Sequence, residues 1–325
     1  MILGVLIIST LIVAVTNKNV YRGVLVLSDS CDIFLGLTGK GNVRFTEIDG
    51  TFLKRFRLKY FPALSRDSTY LAFIGDNLIK EEEKSHSLYT LVILENKKGL
   101  FKEYNVIYQA DPVKETLGML NWSPDGTKLV LFSSKGFNSG FPVGGFESSL
   151  KILDLESKSF FEILKIKNVD ESTPSWSRDG KFIYFSVWNQ SKGESEVVKC
   201  NVETKQLGTL TEGAAPSCSP TSNILLFSDN KNIYQADLDG KNKRILIKDY
   251  RAISLFTPIV WAPDGKSFLY YRWGLSKFKP IGIIQALTGT YQELVAVSLN
   301  KPNKPTVIYK TDKSFWGLSW AECKR

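Results

Sequence analysis

One recurrent pattern constrains this chain more than anything in its composition. A Trp-Ser-Pro-Asp-Gly signature opens at Trp122, returns as W-S-R-D-G at Trp176 and as W-A-P-D-G at Trp261, and each copy runs on into β-branched and aromatic residues. Weaker copies in the same register open at Leu27, Leu64 and Cys218, and a partial copy surrounds Trp320. A pattern repeating at intervals of roughly 40 to 60 residues is the mark of a propeller or solenoid, in which each repeat is one supersecondary unit.

The chemistry of the motif is that of a hairpin. An aromatic residue ends one strand, Pro presets φ, Asp bonds the backbone just ahead of it, and Gly accepts positive φ. Asp125, Asp179 and Asp264 are therefore read as turn residues rather than catalytic carboxylates. Downstream of each hairpin an alternating strand recurs, at 149–156 and 233–240 and again at 43–50, 197–204 and 294–300, followed by a short fourth strand such as 205–210 or 243–248. Four antiparallel strands per repeat make a propeller blade. The stretch Asp237-x-Asp239-Gly-x-Asn242 has half the ligands of a calcium loop but no Glu at the twelfth position, so it reads as a plain turn.

These hairpins, together with the strand I-Y-Q-A-D-L-D-G at 233–240, resemble the WD-like repeats of TolB-type propellers (PD40-like repeats), which also occur in the propellers of prolyl oligopeptidases. The resemblance covers nearly everything after residue 25 and implies the propeller fold rather than a function; a non-catalytic scaffold outside the cytoplasm is the expectation once the leader and the missing hydrolase motifs are added to it. The expected fold is an all-β propeller of six four-stranded blades, with seven as the alternative. The strand at 316–322 is expected to meet the first strands at 21–27 and close the ring, leaving one propeller domain over residues 20–325.

Strand alternation assigns the Ser-Pro-Asp-Gly turns to one face, which reads as structural. The insertions at 75–87, 135–148, 188–194 and 273–291 follow second strands and so fall on the opposite face, where a partner is expected. There the loop 135–146 carries Phe137, Phe141 and Phe146 spaced by Gly and Pro, and Trp188, Trp273, Lys277, Phe278 and Lys279 complete the candidate surface. Pro62, Pro174, Pro216 and Pro258 begin innermost strands and should line the central channel, with Glu171, Ser172, Thr173 and Thr257 near its mouth.

A hydrolase partner domain would need a G-x-S-x-G elbow and a catalytic His. The elbow is absent, and the one histidine, His86, lies in an acidic E-E-E-K-S-H-S stretch. The reading is thus no enzyme and no cofactor; the catalytic alternative is a propeller hydrolase, lyase or glycosidase using scattered acids such as Asp76, Glu171 and Glu194. The net charge of +9 is spread along the chain without an Arg/Lys block, so the expected partner is a protein, such as an envelope protein, or a glycan, not nucleic acid. Residues 1–16 form an uncharged apolar run, too short for an ordinary spanning helix, so 1–19 reads as a signal peptide or a short signal anchor. That places the propeller in the periplasm or outside the cell, monomeric, with any membrane contact confined to residues 2–16. Cys31, Cys200, Cys218 and Cys323 show no metal-ligand spacing, and Cys31 with Cys323 is the one pair placed to bridge the closure.

Overall fold

The computed structural model describes residues 23–28, 33–39, 42–48, 53–81, 84–97, 100–110, 115–134, 147–170, 172–229, 231–248, 258–274, 291–311 and 317–322. The leader, Cys31 and Cys323 lie outside them. Among the described residues no helix is long and apolar enough to cross a membrane.

In chain order the strands are β1 (Gly23–Ser28), β2 (Ile33–Gly39) and β3 (Asn42–Glu47); then β4 (Leu58–Leu64), β5 (Tyr70–Glu81), β6 (Lys84–Lys97) and β7 (Leu100–Gln109). Next come β8 (Thr116–Trp122), β9 (Lys128–Ser134), β10 (Glu147–Asp154) and β11 (Ser159–Lys167), followed by β12 (Ser175–Trp176), β13 (Phe182–Asn189), β14 (Glu194–Asn201) and β15 (Leu207–Glu212). The series ends with β16 (Ala214–Cys218), β17 (Ile224–Ser228), β18 (Ile233–Asp237), β19 (Arg244–Ile247), β20 (Val260–Trp261), β21 (Ser267–Trp273), β22 (Gln292–Ser298), β23 (Thr306–Thr311) and β24 (Gly317–Ala321).

From β4 onward each group of four consecutive strands forms one antiparallel sheet, giving five blades that each come from a single stretch of chain. The ring is completed by a composite sheet of order β24-β1-β2-β3. The expectation of six such repeats, or seven, is therefore corrected to five. Leu27 opens no blade: its hairpin joins the second and third strands of the composite sheet, and the innermost strand there is β24, with Leu25 opposite Trp320. Of the residues at 43–50, read as a third strand, 43–47 belong to the outermost one, β3. Ser28-Asp29-Ser30 imitates the turn chemistry of the repeat, but turn chemistry alone does not say which two strands of a blade a hairpin connects. A second correction concerns 75–87, expected as an irregular insertion. It continues β5 and β6 as a long hairpin, paired from Asp76 and Tyr89 out to Glu81 and Lys84.

Six apolar layers lie between neighbouring sheets, one at every junction round the ring. The junction of the composite sheet with the fifth blade holds Leu25, Leu269, Leu294 and Trp320, and its junction with the first blade holds Val26, Leu71, Phe73 and Ala321. Joining both chain ends in one sheet leaves no open blade at the ends of the series, where unpaired strand edges invite association.

The repeated tryptophan locks successive blades together. The indole Nε1 of Trp122 donates to Ala63 O of the preceding blade at 2.9 Å, that of Trp176 to Asn121 O at 3.4 Å and that of Trp261 to Ser217 O at 3.0 Å. Where the aromatic is missing, the backbone substitutes: Leu64 N donates to Ser319 Oγ and Cys218 N to Ser175 Oγ, each at 2.9 Å and each to the preceding blade. The turn carboxylates do what their motif requires. Asp67, Asp125 and Asp179 accept from Ser65, Ser123 and Ser177, and with Asp264 they accept backbone N–H groups two residues on.

Candidate functional site: the axial cavity

The innermost strands are not regular. β4, β8 and β16 each carry a register shift next to a non-glycine residue with positive φ: Phe61 (52°), Met119 (51°) and Ala215 (52°). Each stands three residues ahead of the Trp position of its blade. Such conformations cost on the order of 1 kcal/mol or more and persist where the surroundings over-determine them. Here they accompany the register shifts of the inner strands.

Inside those strands lies a cavity of about 220 Å³. Its walls are built of Pro62, Pro174, Pro216 and Pro258, as expected from the sequence, together with small residues such as Ala63 and Ser217. Drug-sized ligands occupy pockets of about 300–1,000 Å³, so this one suits a slender group, such as a side chain or a chain end. The lining includes Arg66, Pro124, Arg178, Pro220 and Pro263, the third residue of each motif copy, so the cavity opens on the face of the turns.

Among the described residues, Arg66 and Arg178 are the only charged ones in that lining. Arg66 reaches across the ring: its Nη1 donates to Pro220 O of the fourth blade, opposite its own, at 3.2 Å, and its Nε faces Glu322 Oε1 at 3.4 Å. Arg178 Nη1 donates to Thr221 O at 2.9 Å. Both guanidiniums thus converge on the turn of the fourth blade, where Thr221 and Ser222 stand in place of Asp and Gly. Cys218 also lines the cavity, but burial pushes its thiol up to about 12, which leaves it an unreactive neutral group.

The sequence candidates on the opposite face fare differently. Trp188 and Trp273 are half-buried at the ends of β13 and β21, paired with Ser195 and Gln292, in blades separated by the fourth blade; they are not brought together. Phe137, Phe141, Phe146, Lys277, Phe278 and Lys279 lie outside the described residues, as do Glu171 and Thr257. Ser172 is buried and donates to Ser186 Oγ at 3.1 Å, while Thr173 lines the cavity.

The acids considered for catalysis are dispersed. Asp76 is buried beside Arg57 at 2.6 Å in the first blade, whereas Glu194 sits in the third, next to Lys192. Among the described residues no three His, Cys, Asp or Glu side chains come together as a metal site. Asp237 and Asp239 close a turn: Asp237 accepts from Gly240 N and from Asn242 Nδ2, and Asp239 pairs with Lys199 at 2.8 Å. One buried acid was not anticipated. Asp170, 6% exposed, precedes β12, and burial pushes its carboxyl up to about 6, with one oxygen lacking any hydrogen-bond partner.

Solved structures of the same architecture cover most of the chain. TolB from Acinetobacter baumannii superimposes with a TM-score of 0.64 over 94% of this chain and 68% of its own, at 12% identity. The fold is a TolB-like β-propeller. A chain of the nidogen/laminin complex matches with a TM-score of 0.62 over 92% of this chain and 99% of its own, at 9% identity, and an oligogalacturonate lyase in complex with manganese with 0.50 over 78% and 65%, at 12%. No family model and no curated protein matches the sequence. At these identities the likeness fixes architecture alone, and a TolB-like ring serves scaffolds and enzymes alike.

Proposed function

We propose that this chain is a non-catalytic scaffold outside the cytoplasm that binds a protein partner, taking a slender segment of it into the axial cavity from the turn face. The observation that carries the reading is the pairing of a narrow proline-lined cavity with two arginines at its mouth, the only charged groups among the described residues of its wall. A rigid ring supplies preformed walls, so binding a segment costs little ordering entropy on the side of the ring. The placement outside the cytoplasm is supported by the apolar run at 1–16.

The test is capture of partners from an extract of the source envelope by the full chain, compared with Ser217→Trp and Thr173→Trp, which narrow the cavity. Loss of one specific captured protein with both variants, at unchanged melting temperature, supports the reading. Undiminished capture by both overturns it. A second reading places the partner, protein or glycan, on the opposite face, through Phe137, Phe141 and Phe146; it is favoured by the Gly-spaced aromatics of 135–146. Replacing those three with Ser tests this reading, as Ser217→Trp and Thr173→Trp test the first. The catalytic alternative, a hydrolase, lyase or glycosidase, would declare itself as turnover in a screen of glycans and peptides.

A further inference from the structure

We infer that the turn-face mouth is a carboxylate-binding site, read by Arg66 and Arg178 and guarded by the chain's own Glu322. This rests on the cavity-binding reading above and names the chemistry of the segment it takes: an acidic peptide end.

Three observations converge. First, the two guanidiniums bond the carbonyls of consecutive residues, Pro220 and Thr221, so they flank a single turn. That turn is the one among the five complete blades without an aspartate; Asp67, Asp125, Asp179 and Asp264 occupy the equivalent position elsewhere and are engaged with their own turns. No carboxylate of the fourth turn therefore competes for the arginines.

Second, each guanidinium has five N–H donors in a planar fork suited to carboxylate. Arg66 directs Nε and Nη1 to Glu322 and Pro220, and Arg178 directs Nη1 to Thr221. Arg178 makes no ion pair among the described residues. Its charge stands at the mouth beside the carbonyl dipole of Thr221.

Third, the acid already at Arg66 is held by backbone rather than by its side chain. Glu322 N donates to Arg66 O at 2.8 Å, and Ser68 Oγ donates to Glu322 O, so ring closure fixes the residue whatever its carboxylate does. The carboxylate itself is 3.4 Å from Arg66, with the two side chains 54% and 36% exposed. An exposed pair of that geometry is weak. A ligand carboxylate able to engage both arginines displaces it without disturbing the closure.

The full chain is titrated into a fluorescein-labelled Gly-Ser-Gly-Glu-Glu peptide with a free C-terminus and, separately, its Gln-Gln amide, with anisotropy as the readout. The acidic peptide is expected to bind roughly tenfold or more tighter than the amide, a difference of about 1.4 kcal/mol or more. Arg178→Gln should remove most of that preference, and Glu322→Gln should tighten binding by up to about fivefold, since it frees Arg66 of a weak competitor. Arg66→Gln serves as a second variant, because Arg178→Gln spares the cross-ring bond; melting temperatures establish that both fold. Equal affinity for the two peptides, or no binding of either, overturns the carboxylate assignment, while the capture experiment with Ser217→Trp judges the cavity reading independently. Displacement of the peptide by inorganic phosphate but not by acetate at equal ionic strength also overturns it, in favour of a phosphate site. Weaker or unchanged binding by Glu322→Gln overturns its role as guard.

Discussion

Replacing Asp170 with Asn should change how the stability of this propeller responds to pH. The carboxyl is buried at the junction of the third and fourth blades, where Ala215 N and the hydroxyl of Ser172 both bond Ser186 Oγ and where Ser172 N bonds Asp170 O. Burial raises its pKa from 3.8 to about 6; the neighbouring Ser195 hydroxyl pulls the other way but, lacking a hydrogen bond of normal geometry, offsets only part of the effect. Because the folded state disfavours the charged form, the wild type carries no penalty below about pH 4, loses stability as the pH climbs through 4 to 6, and is fully penalised above that. A difference of about two pH units corresponds to about 3 kcal/mol. For a domain of this size that is roughly 5–10 °C in melting temperature. The assay is urea unfolding of wild type and Asp170→Asn at half-unit steps from pH 4 to 8. Stability of the variant relative to wild type should rise by about 3 kcal/mol across pH 4–6.5 and then level off. A difference that stays flat would mean that folding leaves the carboxyl unperturbed, and one that falls with pH that its ionised form is stabilised in the folded state; either outcome refutes the effect of burial.

The interblade indoles give a second test. Trp122→Phe keeps most of the apolar area but leaves Ala63 O without its donor, and should cost about 1–3 kcal/mol in urea unfolding; a change within about 0.5 kcal/mol would remove the indole from the blade lock. At Gly265, φ is +67° and an added Cβ would stand 1.9 Å from Thr221 Oγ1, so Gly265→Ala should destabilise by about 2 kcal/mol or more, with Thr221→Ala in the same chain recovering the steric part alone. An unchanged melting temperature would contradict the placement of these two turns. Removing residues 317–325 deletes the innermost strand of the composite sheet and uncovers Leu25, which is fully buried. The truncated chain should lose its cooperative thermal transition, and retention of the wild-type midpoint would refute closure by β24.

Five of the blades were legible because the motif reports both a strand end and a turn, and its chemistry survives partial decay. At Leu64 and Cys218 the aromatic is gone, yet the serine and the following apolar run keep the register, and the structure shows why the loss is tolerated: Ser319 and Ser175 take over the bond to the preceding blade. The composite sheet was harder to read. Its innermost and second strands are far apart in the sequence, so no hairpin turn marks their junction, and the β1–β2 hairpin carries the turn residues of a blade opening without making one. The arginines were also visible, as W-S-R-D-G at Trp176 and L-S-R-D-S at Leu64, where Pro is replaced by Arg. What the sequence did not disclose is where that third position points. Glu322 left no signal at all, since it meets Arg66 only once the ring closes across some 250 residues.

The direction of that third position bears on where this ring binds. A tight turn of this kind engages its Ser and Asp side chains with each other and with its own backbone, and Asp125 and Asp179 are both held below the usual carboxylate range by such bonds, although burial opposes the effect at each. The residue between Ser and Asp is not needed for the turn, provided its φ is suitable, and in every complete blade it projects to the axial mouth. A turn motif that reads as purely structural therefore leaves one free choice per blade, all five aimed at the same space. Pro at three of them keeps the rim rigid and apolar; Arg at the other two makes it selective for charge. If that division is correct, exchanging Arg178 for Pro, the residue its neighbours carry, should leave stability within about 0.5 kcal/mol while abolishing the preference for acidic peptide. A loss of stability comparable to that of Trp122→Phe would show instead that the arginine belongs to the frame of the ring and not to its mouth.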